Sequence, residues 1–75
     1  MCLAIPARIV SIHDTHAWVE TMGVSQKVNI QLINLPVQGE YILVHAGFAI
    51  EKIDSNYFYF LNDALYEMLE GKKNE

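Results

Sequence analysis

A single cysteine, few cations and the absence of any long apolar run are the scarcities that bound this chain of 75 residues. With Cys2 alone, no internal disulfide can form, and a structural zinc site built from several thiolates is excluded. Five Lys plus Arg stand against nine Asp plus Glu, a net charge of -4. No broad positive field is present to collect phosphates, so neither nucleic acid nor an anionic membrane is an expected partner. The longest apolar runs, such as Tyr41 to Val44 and Tyr57 to Leu61, fall far below the ~20 residues a membrane-crossing helix needs. Arg8 and His13 interrupt the N-terminal stretch, which has no charged region leading into a long apolar core. No signal peptide is expected, and the expected location is cytoplasmic. A Gly-rich phosphate loop, a Gly-x-Ser-x-Gly elbow and paired carboxylates in a plausible cleft are missing too. So small a chain also leaves little scaffold for a substrate pocket and an oxyanion hole around Cys2. The expectation is an accessory protein, not an enzyme.

What is there is apolar and patterned. A hydrophobic share of 52% with 19% charged residues lies outside the composition that keeps chains disordered, and the length suits one small domain over residues 1–75. Val28, Ile30 and Leu32 alternate with Lys27, Asn29 and Gln31, the period of a half-buried strand. Similar reasoning predicts strands over Leu3 to Ile12, with a break at Pro6, and over Ala17 to Met22, Ser25 to Leu32, Glu40 to His45 and Phe48 to Ile53. Turns are expected at Asp14-Thr15, at Gly23, from Asn34 to Gly39 and at Gly47. Five short strands with tight connections predict a mainly β fold, a small five-stranded OB-like barrel over residues 1–53 that closes to remove its edges.

After Ile53 the period changes. Phe58, Leu61, Leu65 and Met68, widened by Leu69, form the stripe of an amphipathic C-terminal helix over residues 54–71. Asp54 or Ser55 can cap its start, Gly71 can stop it, and Lys72 and Lys73 suit its C-terminal dipole within a tail of residues 72–75. Tyr57, Phe58, Tyr59 and Phe60 put more aromatic surface at the helix start than one face can bury, leaving some for a partner.

Cys2 is the most informative residue. A small residue after the initiator Met generally permits removal of that Met, which would leave a thiol beside an α-amino group with a pKa of roughly 7.7 to 8.0. The adjacent ammonium favours the thiolate, the form that binds soft metals and attacks electrophiles. The competing reading makes Cys2 a small buried hydrophobe at a strand end, as many free cysteines are. Pro6 favours the functional reading, because it withholds a backbone donor and can hold the leading segment off the sheet as an arm. His45, at the end of an apolar strand, could offer an imidazole at the barrel rim or serve as a hydrogen-bonded structural residue. His13 and His16 flank a turn and are expected in solvent. Cys2, His45 and a carboxylate do not spell a complete metal site, so other ligands would come from a partner.

The opening Met1-Cys2-Leu3-Ala4-Ile5-Pro6, with a basic residue at Arg8, resembles the start of the HypC/HupF family of hydrogenase-maturation chaperones. The segment from Gly39 to Ile50, GEYILVHAGFAI, resembles that family's second signature, and the Gly23-Val24 turn after Glu20-Thr21-Met22 fits as well. The resemblance implies a small β-barrel with a trailing helix that assists assembly of nickel-iron hydrogenases. It implies that Cys2 helps hold iron carried as Fe(CN)2CO in complex with a HypD-like scaffold protein. The group then passes to the precursor of the hydrogenase large subunit. His45, Pro6 and Arg8 would be transfer or partner-contact residues. Two departures stand out: Ala7 occupies a position where the family commonly has glycine, which could alter the pose of the arm, and the helix entry from Asp54 to Phe60 is aromatic where an acidic run is often found. Two other readings remain open at this point. One is an OB-like ligand-binding module with no metal role, and the other a single-thiol redox sensor.

Overall fold

The computed structural model describes residues 4–70, with side chains described as far as residue 68. Five strands are followed by one helix: β1 (Ile5–His13), β2 (His16–Thr21), β3 (Val24–Asn29), β4 (Tyr41–His45), β5 (Phe48–Ile53) and α1 (Ser55–Glu70). The strands close into a barrel in the order β1-β2-β3-β5-β4, the five-stranded arrangement expected of an OB-like fold.

The core follows from the alternation of apolar residues along each strand. Ala7 and Ile9 of β1, Ala17 and Val19 of β2, Val28 of β3, Ile42 and Val44 of β4 and Ala49 of β5 all point inward and are buried. In β1 the pairing shifts between Ile9 and Ser11. The extra residue, Val10, reverses the face that follows, so that Ile12 rather than Ser11 packs against the core. Two tight turns depend on positive backbone angles. Met22-Gly23 has φ of 50° and 83°, and Ala46-Gly47 has φ of 53° and 83°, the mirror-image turns whose twist matches paired strands.

The strand β3 stops three residues short of its expected end at Leu32. The Asn29 Oδ1 accepts from the Gln31 N–H at 2.8 Å, and the Asn29 Nδ2 donates to Gln31 Oε1 at 2.6 Å. This side-chain turn ends the ladder, and beyond it the period breaks: Ile30 and Ile33 are buried while Leu32 is 64% exposed. The loop from residue 30 to 40 is then held by Lys52, whose Nζ donates to Leu35 O at 2.8 Å and pairs with Glu40 Oε1 at 3.2 Å.

The helix begins as its cap predicts. Asp54 Oδ1 accepts from the Tyr57 N–H at 2.8 Å, and Asp54 O accepts from Phe58 N–H at 2.9 Å. The helix packs on β1 and β4, with Phe58 stacked on Tyr41 at 4.2 Å between ring centroids. Only part of its expected stripe is covered. Phe58 is buried, Leu61 and Leu65 are half-buried, and Met68 is exposed. Leu69 lies outside the described side chains, and the expected stop at Gly71 and tail at residues 72–75 lie outside the described residues. No helix among the described residues is long and apolar enough to cross a membrane.

Candidate functional site

Residue 4 is where the described chain starts, and Cys2 lies outside the described residues. The base of its arm is well defined. Ile5 opens β1 directly opposite Val44, and the ladder continues through Pro6↔Leu43, Ala7↔Ile42 and Arg8↔Tyr41. The two segments that carry the family resemblance, far apart in sequence, are therefore neighbouring strands. His45 follows Val44 immediately, so the start of β1 lies beside the β4–β5 turn. That turn is tied to β3 by the Asn29 N–H, which donates to Gly47 O at 2.9 Å. His45 itself is half-buried and lies opposite Phe48.

Pro6 does not break the strand, contrary to the expectation; the leading segment that it was expected to hold off the sheet lies outside the described residues. Pro6 itself sits within the β1–β4 ladder and is among the fully buried side chains. The reason is directional. The β1–β2 pairing begins only at Arg8↔Glu20, and the Pro6 carbonyl is turned toward β2, where it accepts from Thr21 Oγ1 at 3.0 Å. Its nitrogen faces the same way, so the missing donor falls where no ladder bond is required. Ala7 is extended and fully buried opposite Ile42. It has no positive φ that would call for glycine, and its methyl group fills core volume; the arm whose pose it could alter lies outside the described residues.

Arg8 stands on the outer face between Glu20 and Tyr41. Its Nη2 donates to Glu20 Oε1 at 3.2 Å, with the two side chains 42% and 39% exposed, an ion pair that contributes about 0–1 kcal/mol to folding. Arg8 and His45 do not converge. Their positions along the β1–β4 ladder differ by four residues, about 13 Å at the strand rise of ~3.3 Å per residue. Of the remaining histidines, His13 is exposed as expected, whereas His16 is half-buried and within 2.9 Å of Thr15 Oγ1 through its Nδ1. Among the described residues no three His, Asp or Glu side chains gather in a way that could hold a metal ion.

Residues outside the sequence-based candidates shape the surroundings. A cleft of about 160 Å³ lies between the start of β1 and the helix, lined by Ala4, Pro6, Leu61, Ala64, Leu65 and Met68. Tyr41 and Tyr59 bring their hydroxyls to 3.4 Å. That hydrogen bond, with burial and the neighbouring phenol adding to it and Arg8 opposing it, holds the Tyr41 pKa above the ordinary tyrosine value. The aromatic run at residues 57–60 hints at such a cluster, but nothing in the local pattern singles out Thr21 or pairs Tyr59 with Tyr41.

Residues 1–59 match the family model described as the HupF/HypC family. The chain is similar to the hydrogenase maturation factor HypC of Helicobacter hepaticus, 45% identical over 56 residues, which cover 72% of this chain and 65% of that protein. It is also similar to HypC of Cupriavidus necator, 46% identical over 55 residues, with 72% and 61% covered. The hydrogenase maturation factor HybG of Escherichia coli K12 is 36% identical over 75 residues, with 91% of this chain and 92% of HybG covered. The chain thus spans somewhat under two-thirds of the first two relatives and nearly all of the third. With the two signature segments joined as neighbouring strands and the family match running from residue 1 to residue 59, the chain belongs to the HupF/HypC family.

Proposed function

We propose that this chain is a maturation factor for nickel-iron hydrogenases, a carrier and adaptor that is not itself a catalyst. In this reading Cys2 ligates iron bearing cyanide and carbon monoxide, Fe(CN)2CO, within a complex with a HypD-like scaffold protein. The complex then delivers the group to the precursor of the hydrogenase large subunit. The iron is cargo here, and the ligands that one thiol cannot supply come from the partner.

The observation that carries the reading is the Ile5↔Val44 register. It brings Ile5, the first strand residue after the Cys2 segment, next to the strand end that carries His45, which supports a site shared by the two signature segments. A barrel closed in the strand order β1-β2-β3-β5-β4 is a stiff support for a short ligand-bearing arm. Pro6, its φ fixed by the ring and its carbonyl held by Thr21, gives the base of the arm a set backbone. Pro6, fully buried, supports the base of the arm. Arg8, held by Glu20 but still partly exposed, and half-buried His45 are further groups that this reading assigns to transfer or partner contact.

Complementation of a host lacking this protein tests the proposal. Wild type should restore hydrogenase maturation and Cys2→Ala should not, although the purified variant keeps the thermal transition and circular dichroism of the wild type. Restoration by Cys2→Ala would remove the thiol from the account.

A further inference from the structure

Among the described residues, one lane of the barrel is half empty. The β3–β5 pairing rests on Asn29↔Phe48, whereas β2 and β3 pair from His16↔Asn29 to Thr21↔Val24. In a two-residue hairpin the residues flanking the turn, here Thr21 and Val24, exchange both backbone hydrogen bonds, and bonded pairs then alternate. Val19↔Gln26 and Ala17↔Val28 are thus the next bonded pairs, while Ser25, Lys27 and Asn29 aim N–H and C=O away from β2. Asn29 bears this out, since its N–H donates outward to Gly47 O at 2.9 Å. Ser25 and Lys27 face the same lane where β5 has not yet begun.

The side chains beside this lane are equally telling. Val24 and Gln26 share the inward face with buried Val28, yet Val24 is 66% exposed. With Ile5, Thr21, Met22 and Leu65 they line a cleft of about 280 Å³, which touches the base of the Cys2 arm through Ile5. On the outer face, Lys27 is exposed and lies directly opposite Trp18. A lysine on an edge guards against indiscriminate pairing, but a guard needs no apolar cleft behind it.

We propose that the free edge of β3 at Ser25 and Lys27 accepts an extended segment of a partner protein as an added strand. That segment puts apolar side chains into the Val24–Gln26 cleft and a carboxylate opposite Lys27. Backbone bonds to the edge supply binding, and the cleft and Lys27 supply selectivity. A second copy of this chain fits less well, since an antiparallel pair centred on the edge sets Gln26 against Gln26 over the cleft and brings no carboxylate to Lys27. The proposal rests on the preceding reading in one respect, that the partner is the scaffold that shares the iron. Strand addition at this edge would set that partner beside the arm.

Residue-resolved amide hydrogen exchange tests it, on the isotope-labelled chain free and bound to the purified HypD-like scaffold of the same host. The Ser25 and Lys27 amides should exchange at least tenfold more slowly in the complex, a protection expected of newly bonded edge amides. In parallel, Ser25→Pro removes an outward N–H without touching the β2 ladder and should weaken scaffold binding by roughly tenfold or more. Lys27→Glu should weaken it as well, both variants keeping the wild-type thermal transition when free. Scaffold binding with both amides exchanging at free-chain rates overturns the edge proposal and leaves the carrier reading intact, even if Ser25→Pro fails to fold. No binding of wild type to the scaffold defeats the carrier reading and this proposal together. Concentration-dependent protection in the free chain would make the occupant a second copy and overturn the assignment to a partner.

Discussion

Ile5 and Val44 face each other across the β1–β4 ladder, and this one pairing brings the start of β1 next to the strand end that carries His45. If His45 serves transfer and not folding, His45→Ala should leave the thermal transition within a few degrees of wild type. Cargo would remain on the carrier while maturation of the hydrogenase slows severalfold. A drop in melting temperature matching the loss of maturation would instead make His45 a structural residue of the β4–β5 turn.

Thr21 is the support that keeps Pro6 in place. Thr21→Val keeps the shape of the side chain and removes the donor to the Pro6 carbonyl, which should cost about 1 kcal/mol in urea unfolding. Maturation should fall by more than that loss explains, because the direction of the arm is loosened. Equal effects on both readouts would confine Thr21 to folding.

Arg8 and Glu20 form a solvent-exposed pair, so Arg8→Ala should change stability by less than about 1 kcal/mol. Loss of scaffold affinity in Arg8→Ala with affinity kept in Glu20→Ala would identify Arg8 as a contact residue. Equal losses in the two variants would point to the ion pair as a shaping element only.

The Tyr41 hydroxyl is held in its neutral form chiefly by its hydrogen bond to Tyr59, so its pKa lies above the ordinary 10.0. The contribution is therefore complete below the unfolded value and is lost as pH rises through the folded one. Spectrophotometric titration should show Tyr41 ionising above the ordinary tyrosine value, and Tyr59→Phe should move that step earlier. A titration unchanged by Tyr59→Phe would show that the two hydroxyls do not share a proton.

Much of the barrel was legible because alternation is local. Ile42 and Val44, or Ala17 and Val19, announce an inward face from a few residues, and Asp54 announces a cap three residues before the N–H it receives. What sequence pattern did not reveal depends on long-range neighbours. Pro6 reads as a break until β2 is known to start its pairing later, at Arg8↔Glu20. Leu32 reads as core until the Asn29 side chain ends β3 and hands the buried position to Ile33. Ala7 reads as a departure from glycine until Ile42 is seen opposite it. At the candidate site, Cys2 and His45 were legible as residues, but that Ile5 lies opposite Val44 required the β1–β4 register, and Thr21 had no local signal.

The central claim is that Cys2 holds iron carrying cyanide and carbon monoxide. Anaerobic affinity purification from the native host, with iron quantified and infrared spectra recorded for wild type and Cys2→Ala in parallel, tests it most directly. The account predicts iron with cyanide and carbon monoxide stretches, together with a co-purifying scaffold protein, in wild type alone. Equal iron and equal stretches in both proteins, or their absence from wild type purified with its scaffold, would contradict it.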